Sequence, residues 1–136
     1  MTDLLLDTSA AIPLVLTSHD AHNLVGDAIG TRSVALAGHA LHETYSVLTR
    51  LPGDARLDPN DATRLLRERF EPAATLDVAA ARSAPGVLAA HQIAGGATYD
   101  GLVALAALSA GLPLASRDRR ASSTYRRLGV PVEMLG

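Results

Sequence analysis

Leu4-Leu5-Leu6-Asp7-Thr8-Ser9-Ala10-Ala11-Ile12 is the stretch that decides the fold. Three leucines in a row leave no polar position for a solvated face, so they read as a short strand covered on both sides. Asp7 closes the run, and a helix is expected from Ala10 to Leu16. A buried strand leading straight into a helix opens a βαβ unit, and the same alternation runs along the chain. Strands are expected at Leu4–Leu6, Ser33–Ala37, Ala74–Val78, Leu114–Ser116 and Val132–Leu135. Helices are expected at Asp20–Ile29 and from about His39 to Leu51, where Pro52-Gly53 stops the second. Asp58-Pro59-Asn60-Asp61 supplies an N-cap, a proline at the first helical position and an acid at the third, ahead of a helix carrying Leu65, Leu66 and Phe70. Ala79–Gln92 contains Pro85-Gly86, which predicts a bent or interrupted helix, and Thr98 is expected to cap the Ala-rich helix that ends before Gly111. The sum is an α/β domain with a central parallel sheet flanked by helices, one domain over residues 1–136.

Four acids stand where such a domain favours apolar residues: Asp7, Glu43, Asp100 and Asp118. From Gly101 to Ser116 the chain reads GLVALAALSAGLPLAS, without one ionisable side chain, directly after Asp100. A carboxylate in those surroundings needs hydrogen bonds, an opposite charge or a metal to offset its lost hydration. In open α/β sheets ligands bind beyond the carboxyl ends of the strands, and each of the four acids falls at a strand end or in the first turns of a helix, on that one rim. Several carboxylates brought together there repel, and a hard divalent cation relieves the repulsion. Oxygen-only donors select Mg²⁺, with Mn²⁺ as substitute, and disfavour zinc. Each acid also has a plainer reading: Asp7 as a helix N-cap, Asp100 and Glu43 as first-turn acids favoured by the helix dipole, Asp118 as the ion-pair partner of neighbouring arginines.

Composition narrows the function classes. The 136 residues contain no Cys, which removes disulfide, thiol and zinc-thiolate chemistry, and the net charge of −2 does not mark a bulk nucleic-acid binder. Met1-Thr2-Asp3 lacks the basic start of a signal peptide and no apolar stretch approaches about 20 residues, so a soluble cytoplasmic protein without membrane contact is expected. All 12 basic residues are arginines, and Arg117, Arg119, Arg120, Arg126 and Arg127 surround or follow Asp118. Arg117, Arg119 and Arg120 suit a phosphate backbone; solvated surface charge is the alternative.

LLLDTSAAIPL at residues 4–14, HALHETYSVLTRLP at 39–52, GGATYDGLVALAA at 95–107 and LASRDRRASSTYRRLGV at 114–130 together resemble PIN-domain ribonucleases, specifically the VapC toxins of bacterial toxin–antitoxin pairs. The resemblance spans essentially the whole chain. It implies a three-layer PIN-like fold and a Mg²⁺ site formed by Asp7, Glu43, Asp100 and Asp118, with Asp7 and Asp100 touching the metal. It further implies Ser9 and Ser116 as hydroxyls orienting the acids, an RNA substrate cut to leave a 5′-phosphate and a 3′-hydroxyl, a VapB-like antitoxin as partner, and a homodimer. The family often has Thr where this chain has Ser116, and the hydroxyl survives the change.

Other constellations are weaker. His39, His42 and Glu43 do not make H-E-x-x-H, since Ser46 occupies the last position. Gly95-Gly96 lacks the lysine and frame of a phosphate loop. A Mg²⁺-dependent phosphatase would pair the first acid with a second two residues on, where Ser9 stands, and a cation-binding signalling module would use a lysine the chain does not have.

Overall fold

Leu4, Leu5 and Leu6 are all fully buried, and because side chains alternate along a strand they enter two different cores. In the computed structural model, which describes residues 1–136, these three form β1 at the centre of the sheet. Its companions are β2 (Val34–Ala37), β3 (Glu71–Ala74), β4 (Leu114–Ser116) and β5 (Val132–Met134). All pairings are parallel, in the order β3-β2-β1-β4-β5. Leu4, Leu6, Val34 and Leu36 face a core shared with α1 (Thr8–Val15), α2 (His22–Ile29), α3 (Ala40–Thr49) and α4 (Pro59–Arg69). Leu5, Ala35, Ala37 and Leu114 face the other, shared with α5 (Val78–Ala90), α6 (Ala97–Ala110) and α7 (Arg119–Arg127). Each leucine so buried contributes about 1.5–3 kcal/mol, so the three residues of β1 anchor both layers at once.

The strand order reverses at β1: the chain moves outward to β2 and β3, then returns to β4 and β5 on the opposite side. That reversal leaves a crevice beyond the carboxyl ends of β1 and β4, and Asp7 and Asp118 follow those two strands.

Several sequence expectations shift. The third strand is Glu71–Ala74 rather than Ala74–Val78, because Asp77 caps α5 through Ala80 N (2.7 Å) and draws Val78 into the helix. Its Pro72 is tolerated because β3 is an edge strand. Pro85 does not interrupt α5, which runs unbroken through it; Ala81, whose carbonyl loses its donor there, is exposed to water. The helix carrying Asp100 begins at Ala97 with Gly96 as N-cap, two residues before the expected Thr98. Gly95, at φ +61°, makes the turn into that helix, a backbone conformation that replaces a side-chain cap. A short 3₁₀ turn at Gly53–Ala55 and the whole of α7 are additions. In α7, Ala121, Tyr125 and Leu128 recur at helical spacing after the capping Asp118.

Gly38 sets how closely the turn from β2 into α3 approaches the middle of α6. It has φ +52°, and a Cβ there would stand 3.0 Å from Ala106 Cβ and 3.1 Å from the Leu102 carbonyl oxygen. Gly38→Ala is therefore expected to lower the unfolding free energy by about 1–3 kcal/mol, measured by urea titration. An unchanged midpoint would show that the approach is relaxed at no cost.

Candidate functional site

Asp7 is 4% exposed, and its carboxylate accepts hydrogen bonds at every lone-pair position. Ser9 Oγ (2.6 Å) and Ala10 N (3.2 Å) donate to Oδ1; Ser116 Oγ (2.6 Å) and Tyr125 OH (2.7 Å) donate to Oδ2. The serine protons are directed by what lies behind them. Arg117 N donates to Ser9 Oγ (2.8 Å) and Asp118 N to Ser116 Oγ (3.0 Å), so each hydroxyl receives from the backbone after β4 and gives to Asp7. Asp7 is at the same time the N-cap of α1, so its capping role and its place at the strand end coexist.

Asp118 caps α7 through Oδ1, which accepts from Arg120 N (2.9 Å) and Ala121 N (3.2 Å). It makes no ion pair. The two side-chain ion pairs of the chain, Arg32–Glu133 and Arg64–Asp61, involve none of the four acids. Glu43 lies in the first turn of α3 and Asp100 in the first turn of α6. Thr8 and Thr44, the residues after Asp7 and Glu43, share a buried hydroxyl hydrogen bond of 3.0 Å that ties α1 to α3.

All four acids line one cavity of about 370 Å³, together with Ser9, His19, Arg117 and Tyr125. Mutual repulsion is visible in Asp100, whose carboxyl is pushed up to about 6 by burial first and then by Asp118, Asp7 and Glu43, with Arg120 partly offsetting them. Burial and the adjacent Asp7 hold the Tyr125 phenol far above its ordinary value, so it stays protonated and remains a donor. No three acidic or histidine side chains close into a ready cage around an ion. The donor set is nevertheless of the right chemistry: oxygen-only, anionic, with one oxygen of Asp118 left out of its cap. A small hard cation that keeps most of its waters needs only one or two protein carboxylates.

Of the expected residues, Asp7, Glu43, Asp100, Asp118, Ser9 and Arg117 meet at this cavity, and Ser116 stands behind it on Asp7. Arg117 is half-buried and donates from Nε to the Leu135 carbonyl (3.2 Å), whereas Arg119 and Arg120 are exposed on α7. Tyr125, Thr8, Thr44 and His19 join the site beyond the residues expected from sequence. The signal for Tyr125 was its position four residues after Ala121 and three before Leu128, which places it on the inner face of a helix; for His19 the sequence carries none.

An acidic cavity at the switch point of a parallel three-layer α/β sheet is where domains of this class bind their ligands. The PIN domain model matches residues 4–127, and the chain belongs to the PIN-domain family. It is 54% identical over 129 residues to ribonuclease VapC27 of Mycobacterium tuberculosis, covering 95% of this chain and 94% of that one. Ribonuclease VapC40 of the same species is 42% identical over 130 residues, with 95% and 96% covered. Among solved structures, a chain of VapBC2 from Rickettsia felis, bound to a DNA fragment from its promoter, superposes with a TM-score of 0.67 at 12% identity, covering 99% of this chain and all of that one. M. tuberculosis VapC20, described as a sarcin–ricin loop cleaving toxin, superposes with a TM-score of 0.66 at 18% identity over 89% and 94%. These two likenesses establish the fold.

Tyr125→Phe keeps the buried ring and removes one of the donors to Asp7. The expected cost is about 1.5–3 kcal/mol in urea unfolding, the range for hydrogen bonds to a charged group; a cost under about 0.5 kcal/mol would mean that the phenol does not stabilise the carboxylate.

Asp100 supplies a pH test. Its carboxyl lies at about 6 in the folded chain and at about 3.9 when unfolded, so between those values the native state binds the extra proton. Stability therefore falls as pH rises through that window and stays lower above it. In chelator, Asp100→Asn should raise the melting temperature at about pH 7.5 and lose that advantage at about pH 4; an equal gain at both would contradict a charge origin.

Proposed function

We propose that this chain is a Mg²⁺-dependent endoribonuclease, with Mn²⁺ as a substitute ion, acting in the cytoplasm as the toxin of a type II toxin–antitoxin pair. The observation that carries the reading is the single cavity lined by Asp7, Glu43, Asp100 and Asp118, none of which forms an ion pair with an arginine. Similarity over nearly the full length to relatives named ribonucleases supports RNA as the substrate.

Asp100, Glu43 and the free oxygen of Asp118 are the groups that would reach the ion. Asp7, whose acceptor positions are all engaged, contributes its charge and shares an oxygen only by loosening one donor. The chemistry such an ion supplies when bound is an acidified water and positive charge beside the phosphodiester. In the reaction the water oxygen bonds to phosphorus, the P–O3′ bond breaks, and the departing 3′ oxygen takes a proton, leaving a 5′-phosphate and a 3′-hydroxyl. The serines hold Asp7 in one orientation through backbone amides after β4, and Tyr125 closes the inner side with its proton in place. Arg119 and Arg120, exposed at the start of α7 after Asp118, would meet the RNA backbone, while Arg117 lines the cavity and donates to the Leu135 carbonyl. A phosphatase reading has no support here, since Ser9 spends its hydroxyl on orienting Asp7 rather than offering a second carboxylate.

A VapB-like antitoxin is the proposed partner, in line with the VapBC neighbours in fold. A homodimer is proposed as well; Val78 and Val87 on α5 and Leu108 on α6 are exposed apolar side chains of the kind a second copy could cover.

Labelled RNA incubated with Mg²⁺ should be cut endonucleolytically, and not with chelator; a phosphomonoester should survive both. Asp7→Asn and Asp100→Asn should abolish cutting while leaving the fold intact, and wild-type rates from either folded variant would remove that residue from the machinery. Arg119→Ala with Arg120→Ala should weaken RNA binding and flatten its log–log salt dependence by about 0.7 for each phosphate no longer neutralised. Unchanged affinity and slope would return these arginines to simple surface charge.

A further inference from the structure

Tyr99 is the one aromatic ring of the Tyr and Phe set that the fold leaves outside. Tyr125 and Phe70 are buried and Tyr45 packs against the core, whereas Tyr99 is 54% exposed. Such a ring would gain by burial, and nothing in the sheet or the helices requires it at the surface. Its place is specific. Tyr99 immediately precedes Asp100 in the first turn of α6, and consecutive helical residues project about 100° apart, so Asp100 lines the acidic cavity and Tyr99 stands beside it. The Tyr99 ring is stacked on His39, centroids 4.8 Å apart and planes tilted by 31°. His39 is the N-cap of α3, four residues before Glu43 and so on the same face, and its ring lies 6.4 Å from that of His42. Three rings thus form a ledge between the helix starts that carry Glu43 and Asp100. A second cavity of about 310 Å³, lined by His39, His42, Gly38, Thr75, Leu76 and Leu102, opens beside that ledge.

We propose that Tyr99, backed by His39, is a stacking platform for a nucleobase of single-stranded RNA next to the phosphodiester being cut. The proposal rests on the endoribonuclease reading and adds to it a residue that contacts a base, since unpaired bases can leave their own stack and lie on an aromatic face. His39 lies against the Tyr99 ring and the residue is still 54% exposed, which leaves ring surface for a base to meet. Every base has a π-face, so the platform selects for unstacked structure and not for base identity.

The test measures binding in the cleavage-silenced Asp100→Asn protein with Mg²⁺ present. The probes are a pool of short random-sequence oligoribonucleotides and an abasic ribose-phosphate oligomer of the same length. Adding Tyr99→Ala should cost roughly 5- to 150-fold in affinity for the base-bearing pool, the range for losing one stacked base, and nothing for the abasic oligomer. Tyr99→Phe should restore the parent affinity, because the ring is what matters. Equal affinity of parent and Tyr99→Ala for the pool would overturn the proposal. So would an equal loss on both probes, which would make Tyr99 a backbone contact or a structural residue. Weakened binding of a partner protein with RNA affinity unchanged would assign the ring to a protein interface and overturn it too. If wild-type protein with Mg²⁺ neither binds nor cuts the pool, the ribonuclease reading itself fails first, a result seen before any Tyr99 variant is made.

Discussion

The buried carboxylate of Asp7 is the constraint on which the rest of the arrangement depends. An ionised group at the end of a fully buried strand costs several kcal/mol unless its oxygens are satisfied, and here every acceptor position is filled, from three separate elements. Ser9 and Ala10 belong to α1, Ser116 to β4, and Tyr125 to α7. Satisfying one side chain therefore fixes the relative positions of the start of α1, the end of β4 and the inner face of α7. The same donors that make Asp7 tolerable leave the other acids placed on the open side of the cavity.

The remaining carboxylates are held by different means, and less tightly. Asp118 is oriented by capping α7, which uses one oxygen and leaves the other. Glu43 and Asp100 depend on how α3 and α6 are seated: the Thr8–Thr44 hydrogen bond ties α3 to α1, and Gly38, just before α3, lies close against Leu102 and Ala106 in the middle of α6. The upward displacement of the Asp100 carboxyl expresses this: burial and three neighbouring acids make its charged form unfavourable until positive charge arrives. In the proposed reading, a cation bound among these acids would relieve that cost.

Much of this is legible in the chain before any fold is known, and the parts that are not have definable causes. The leucine run makes β1 legible because three consecutive apolar side chains leave no polar face for a half-solvated strand and Asp7 follows at once with a helix start, and the four acids are conspicuous because an apolar setting raises the cost of a charge. The third strand is misplaced by sequence because Ala74–Val78 is as apolar as a strand needs to be, and only the capping bond from Asp77 decides that Val78 joins a helix. α7 is obscured by its arginines: charged residues dominate the segment, and the Ala121–Tyr125–Leu128 face shows only when positions are counted from a cap at Asp118. The role of Tyr125 as a donor to Asp7 lies beyond sequence reasoning altogether, since the two residues are 118 positions apart and meet only through the sheet order.

Whether the four acids act as one cation site is tested most directly by titrating the isotopically labelled protein with Mn²⁺ and following paramagnetic line broadening residue by residue. For a single shared site, amides around Asp7, Glu43, Asp100 and Asp118 broaden first and together, at less than one equivalent, and excess Mg²⁺ restores them. Broadening centred on another acidic region, such as Asp54, Asp58 and Asp61 near the start of α4, or broadening that treats the four acids unequally as isolated surface charges, would contradict it.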